Sequence, residues 1–110
     1  MVDSISIDDF MKSDIRIVKV IEAEPIIGKS KILKLIIEVE PGKSQTIVAG
    51  GAEYYTPEHF IGKKFVALTN LASRRIAGVE SQGMLLAAEL GEKPVWLVVE
   101  EDVPVGSKVR

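Results

Sequence analysis

Few side chains in this sequence have types and spacing suited to covalent chemistry. His59 is the only histidine, set between Glu58 and Phe60, and the chain has no cysteine. A lone histidine with no second ligand or relay partner reads as a surface residue rather than a base or metal ligand. Ser81, in ESQG, does not match the G-x-S-x-G nucleophile elbow, and no further histidine exists to activate it. The carboxylates fall on exposed strand or tail positions without metal-ligand spacing. AGG at 49–51 is not followed by Lys-Ser or Lys-Thr, so no phosphate-cradling loop is present. The expectation is a non-enzyme without cofactor or metal.

The remaining chemistry is cationic and polar. Residues 60–79 hold Lys63, Lys64, Arg74 and Arg75 with no acid, while residues 12–34 hold six cations against Asp14, Glu22 and Glu24. Arg74 and Arg75 in NLASRRIAG read either as solvated loop charges or as phosphate contacts, for which the guanidinium fork is suited. Lys31 and Lys34 have the same two readings. Asn70 either ends a strand or contacts a ligand. In GVESQGMLLAA (78–88), Ser81 is a turn hydroxyl or a hydrogen-bonding contact. Met84 is a core filler or a polarisable thioether offered to a base.

Composition bounds these readings. The 110 residues suffice for one domain, and 46% hydrophobic with 27% charged residues is ordinary globular usage, which argues against disorder away from the ends. Net charge is -2, which alone disfavours a nucleic-acid partner; two basic blocks in an acidic chain can nevertheless make one positive face. The N-terminal MVDSISIDDFMK carries acids where a secretory signal needs cations and an apolar run. No stretch nears the roughly 20 apolar residues of a membrane span. A cytoplasmic location is expected.

The elements that must position these residues are mostly strands. SIDDFMKSD suggests one helical turn capped by Ser6 or Asp8 and anchored by Phe10. IRIVKVIEAE (15–24) is β-branched with broken alternation, as in a strand that bends or bulges. KILKLIIEVE (31–40) alternates cleanly, with Leu33, Leu35, Ile37 and Val39 inward. After the PGKS turn, QTIVAGG is a third strand. Thr56 and Pro57 start a short helix that Gly62 stops, and KKFVALTN (63–70) is a fourth strand. A polar loop follows, then strand-like GMLLAAEL and VWLVVE, and a final PVGSK turn. This order predicts a single all-β domain over 1–110. It fits a small oligonucleotide/oligosaccharide-binding (OB) barrel, with a small sandwich as the alternative.

These landmarks, in order, resemble the free-standing tRNA-binding domain family. They also resemble the C-terminal appendage of methionyl-tRNA synthetases and the domains of endothelial monocyte-activating polypeptide and tyrosyl-tRNA synthetases. The resemblance rests on DDFMKSDIRIVKV, KILKL, IVAG, YYTPEHFIGK, NLASRRIAG, GVESQGMLLAA and PVGSKVR. It implies a five-stranded OB barrel with a short helix between strands three and four, additional C-terminal strand elements, and pairing into a homodimer. It implies tRNA as the partner, bound by shape at the outer corner of the L with little base specificity. It also implies assistance to aminoacylation in trans, as a methionyl-tRNA synthetase beta subunit or related accessory protein. The family's contact positions fall on Lys31, Lys34, Asn70, Arg74, Arg75, Ser81 and Met84.

The sequence also departs from the family pattern. EPIIGKS replaces His-Pro-Asn-Ala-Asp, Gln45 stands where arginine is common, and Glu53 where lysine is frequent. Both charge changes predict weaker, more salt-sensitive binding. Two other functions fit the same fold. RRIAG is shared with a sister branch of export-associated chaperones that bind peptides, and an assembly module docking onto a synthetase is the third reading.

Overall fold

The computed structural model describes residues 3–110, leaving Met1 and Val2 of the N-terminal stretch outside the described residues. The alternating apolar residues build one antiparallel sheet from β1 (Ile15–Pro25), β2 (Ile32–Glu40), β3 (Lys43–Gly50), β4 (Lys64–Leu68) and β7 (Met84–Leu85), in the order β3-β2-β1-β4-β7. Leu33, Leu35, Ile37 and Val39 all point inward as their spacing predicts, meeting Val18, Val20, Ile47, Phe65, Ala67 and Leu85. The helix α2 (Pro57–Phe60), with Pro57 in its first turn, supplies Phe60, which is fully buried in that core. The sheet curls into a nearly closed five-stranded barrel of the OB type, as expected.

Closure is made by side chains as much as by backbone. Gln82 N–H donates to the Thr46 carbonyl (2.9 Å), and its side-chain Oε1 accepts from Thr46 N–H (3.0 Å). Ser81 Oγ accepts from Val48 N–H at 3.0 Å and donates to the Gly83 carbonyl at 3.2 Å. Gly83 lies so close to β4 that a Cβ there would come within 2.6 Å of the Leu68 carbonyl oxygen. The polar, glycine-bearing run ahead of the apolar MLL is therefore the seam where β3 and β4 receive the last strand.

The irregularity expected in the first strand is present as a register shift between Val20 and Glu22. Ile17 and Val66 are cross-strand partners, both buried, and neither belongs to the main core cluster. Alternation puts them on the outer face, so β1 buries residues on both sides. The C-terminal turn runs along the same strand: Ile17 N–H donates to Ser107 O (2.9 Å) and Gly106 N–H donates to Ile17 O (2.8 Å).

Local structure differs from the sequence reading in several places. Helix α1 (Ile7–Phe10) forms with the expected Ser6 cap, whose side chain accepts from Asp9 N–H at 3.0 Å, but its anchor Phe10 is only half-buried. The polar loop contains a hairpin, β5 (Arg74–Ile76) and β6 (Val79–Ser81). Its two-residue turn has both Ala77 (φ 51°) and Gly78 (φ 82°) left-handed, the type I′ geometry that twists as strands do. GMLLAAEL splits at Leu86 into β7 and β8 (Ala87–Leu90), because β8 leaves the barrel to pair with β9 (Lys93–Trp96). VWLVVE is thus a strand only through Trp96. Leu97, Val98 and Val99 continue outside any strand, exposed by 40%, 66% and 44%.

Candidate nucleic-acid interface

The β5–β6 hairpin orders the two arginines. Arg74 is paired with Ser81, Arg75 with Glu80 and Ile76 with Val79, so Arg74 and Ile76 share one face of the hairpin and Arg75 the other. On the first face lies an open cleft of about 540 Å³. Its walls include Val48 and Gly50 of β3, Leu71, Arg74, Ile76, Ser81, Met84 and, from β9, Trp96; no carboxylate lines it. On the other side of the hairpin tip, Lys34, Thr46, Glu80 and Gln82 line a shallower depression.

Of the seven positions named from the sequence, Arg74, Ser81 and Met84 meet around the cleft. Arg74 and Arg75 are exposed and have no ion-pair partner among the described residues. Arg75 donates one hydrogen bond to the Gly78 carbonyl (3.0 Å). Lys34 reaches the neighbouring depression and forms a long ion pair with Glu24, 3.6 Å, on a half-exposed surface where such pairs contribute little. Lys31 is exposed just ahead of β2, its carbonyl accepting from Ala52 N–H. Met84 is 44% exposed, a thioether presented to solvent rather than packed away.

Ser81 and Asn70 are engaged with the protein itself. Ser81 is 6% exposed, and its hydroxyl both donates and accepts at the barrel seam. Asn70 Oδ1 accepts from Asp14 N–H at 2.9 Å while its Nδ2 donates to the Lys12 carbonyl at 2.7 Å. Thr69 completes the clasp, its Oγ1 donating to the Asp14 carbonyl at 2.9 Å.

Several cations of the two basic blocks are drawn into ion pairs away from the cleft. Arg16 donates through Nε to both Asp14 oxygens (2.9 and 3.1 Å) and through a terminal nitrogen to Glu40 (3.2 Å); Lys108 adds a 3.3 Å contact to Asp14. The Arg16 guanidinium holds the Asp14 carboxyl down to about 2, aided by Lys108 and Thr69 and opposed by partial burial. Lys64 pairs with Asp102 at 2.8 Å, and Lys12 with Asp9 at 3.1 Å. His59 stacks on Tyr55 with ring centroids 4.6 Å apart, and desolvation, with Lys63 nearby, lowers its pKa.

Trp96, Val48, Leu71 and Ile76 line the cleft without any signal in the sequence that marks them for it. All read as ordinary apolar strand or loop positions, and only barrel closure brings them together. Gln45 and Glu53 also occupy unequal places. Gln45 turns inward, its Nε2 donating to the Thr69 carbonyl at 3.2 Å with Oε1 buried and unpartnered, whereas Glu53 is exposed beside Tyr54. Among the described residues no group of three or more His, Cys, Asp or Glu could hold a metal, and no helix is long and apolar enough to cross a membrane.

The class that the fold defines is a small OB-type barrel, here bearing a hairpin whose arginines have no ion-pair partner among the described residues, beside an apolar cleft. Residues 15–108 match the model of the family described as "Putative tRNA binding domain", and the chain belongs to that family. It is 48% identical over 107 residues to a methionine–tRNA ligase of Thermotoga maritima, a match covering 97% of this chain and 17% of that protein. A methionine–tRNA ligase of Archaeoglobus fulgidus is also 48% identical over 107 residues, with 97% of this chain and 16% of that one covered. The chain thus spans about a sixth of the length of these curated relatives.

Among solved structures, a MetRS-related protein from Pyrococcus horikoshii superposes with a TM-score of 0.89 at 39% identity, covering 99% of this chain and 100% of that one. The chaperone CsaA of Bacillus anthracis superposes with a TM-score of 0.88 at 27% identity, covering 98% and 100%.

Proposed function

We propose that this chain binds tRNA by its folded shape, with little dependence on base sequence, and assists aminoacylation in trans without catalysing a reaction itself. The observation that carries the reading is the β5–β6 hairpin: two exposed arginines without ion-pair partners, beside a cleft with no carboxylate, in a member of a tRNA-binding family. Guanidinium groups left unpaired in an acidic chain are available to phosphate. Lys31 and Lys34 extend the surface, and Met84 offers its thioether. Asn70 and Ser81 belong to the same contact set by family resemblance; Ser81 braces the backbone beside Met84, while Asn70 braces residues 12–14.

The relatives named as methionine–tRNA ligases point to a methionyl-tRNA synthetase as the enzyme served, with this chain acting as a beta subunit or accessory protein in the cytoplasm. Such a module works by raising the local concentration of tRNA at the synthetase. Exposed Leu97, Val98 and Val99, together with Ile7 and Met11 of the N-terminal turn, supply apolar surface for a homodimer.

A second reading, peptide binding, is favoured by the likeness to the chaperone CsaA and by the apolar walls of the cleft. Titration with unfractionated tRNA and with an unfolded polypeptide, each at two salt concentrations, separates the two. Neutralising roughly three to five phosphates makes tRNA affinity fall steeply with salt. Polypeptide binding that tRNA fails to compete away, with no tRNA binding at low salt, reverses the assignment.

A further inference from the structure

We propose that the cleft beneath the β5–β6 hairpin receives one unstacked RNA base, so that the protein takes hold of tRNA at an unpaired nucleotide as well as along its backbone. This rests on the tRNA-binding reading and narrows it to a class of nucleotide. A nucleotide joins a flat apolar ring to an anionic phosphate, and the cleft joins the same two complements. Val48, Leu71, Ile76, Met84 and Trp96 provide apolar and polarisable walls, and Arg74 provides a cation with no protein partner. An apolar peptide side chain would fill the walls but leave the guanidinium without a counter-charge.

A second observation comes from Trp96. Its indole Nε1–H is buried and has no acceptor in the protein, an uncommon state for a donor. Because that N–H is sealed from solvent, a base can meet Trp96 only at the remaining indole surface that contributes to the cleft wall. Every base has a flat face to lay on such walls, so the arrangement favours unpaired over paired nucleotides without choosing among bases. A base inside a duplex is stacked and paired, and reaching the cleft would cost its unstacking.

The chain contains a single tryptophan, and it is one of the cleft's lining residues, so a change in its emission on binding can be assigned to that wall and its neighbours Tyr55 and Phe60. The test titrates the full chain with a single-stranded RNA hexamer, with a blunt RNA duplex containing that sequence, and with unfractionated tRNA. Trp96 emission and the anisotropy of labelled RNA are followed together. The expected result is saturable change in Trp96 emission with the hexamer and tRNA, and duplex binding by anisotropy without that change.

Gly50 lines the cleft, and a Cβ built there meets nothing within 4 Å, so Gly50→Leu has open space to project into, and an unchanged melting temperature checks that the fold is kept. Gly50→Leu should bring hexamer affinity down to that of the duplex. Met84→Ala, at an exposed site, should weaken the hexamer by about tenfold and the duplex hardly at all. Equal binding of hexamer and duplex with unchanged emission overturns the base-in-cleft proposal and leaves tRNA binding standing. Absence of any tRNA binding at low salt, by contrast, removes both. A change in Trp96 emission produced by unfolded polypeptide and not by RNA assigns the cleft to peptide.

Discussion

Two groups of charge sit on this barrel and are used in opposite ways. At the start of β1, Asp14, Arg16, Glu40 and Lys108 form a connected set in which every member has an opposite charge within 3.3 Å, and Thr69 and Asn70 clasp the Asp14 backbone. On the β5–β6 hairpin, Arg74 and Arg75 stand exposed with no carboxylate in ion-pair range. A charge that is satisfied at home contributes to holding the chain termini onto the barrel. A charge without an ion-pair partner, such as Arg75 with its single bond to the Gly78 carbonyl, adds little to folding and remains available to a partner. The contrast explains how a chain of net charge -2 can offer a cationic contact surface: acids neutralise cations where structure needs them and are kept from the cleft.

The largest effect is expected at the hairpin. Replacing both Arg74 and Arg75 with Ala should weaken tRNA binding by about 10- to 100-fold at low salt, for all tRNAs alike, through the loss of two phosphate contacts. Thermal stability should stay within about 0.5 kcal/mol, as at other exposed sites. Unchanged affinity, or a loss confined to one tRNA, would sink the view of these arginines as general phosphate contacts.

The Asp14 set should show the reverse. Asp14→Asn is expected to cost about 2 kcal/mol of folding stability, the size implied by a carboxyl held from 3.8 to about 2, while the folded protein binds tRNA as before. The sign follows from the lowered folded pKa. The contribution is complete above the ordinary carboxylate range and is lost as pH falls from about 5 toward 2, so wild type and variant should converge in acid. Urea melts between pH 7 and pH 2 measure this directly, and a gap that persists at pH 2 contradicts it.

Asn70 stands between the two groups, a contact position by family resemblance and a clasp by geometry. Asn70→Ala should destabilise by about 1–2 kcal/mol, for two side-chain bonds at an exposed site. Its tRNA affinity, measured where the protein is fully folded, should change less than threefold; a larger loss makes Asn70 a direct contact.

The smallest effect is at the turn beneath the arginines. Ala77 is the sole non-glycine with positive φ among the described residues. Ala77→Asn should stabilise by about 0.5–1 kcal/mol, since asparagine tolerates the left-handed region better. A destabilised variant would mean that the turn is held by something other than its backbone preference.

The strands were legible where burial is one-sided. KILKLIIEVE alternates because one face meets the barrel interior, and the broken pattern of IRIVKVIEAE reflects a strand that carries a bulge and buries Ile17 on the outside as well. The hairpin of residues 74–81 was not legible. Ala-Gly is a weaker turn signal than Asn-Gly or Asp-Gly, and strands of three residues are too short to display a period. VWLVVE misled for a related reason: an apolar β-branched run reads as a strand, yet Leu97–Val99 find no strand to pair with beyond Trp96.

The GVESQGMLLAA run shows most clearly how far residue types reach. Its polar and flexible character marked it as unusual, but Ser81 and Gln82 spend their side chains on the free edge of β3, and Gly83 has no room for a Cβ beside Leu68. These partners lie over 30 residues away in the chain for β3. No local pattern encodes such a meeting.

An all-β domain, its inward residues and the supply of arginines and lysines can be read from the chain, because alternation and residue type are local properties; the choice of a barrel over a sandwich came from the family resemblance. Tertiary structure alone decided which cations are neutralised, that Trp96 and Met84 face one cleft, and that Ser81 closes a seam. Each of these depends on distances between remote segments, which are set when the curled sheet brings its first and last strands together.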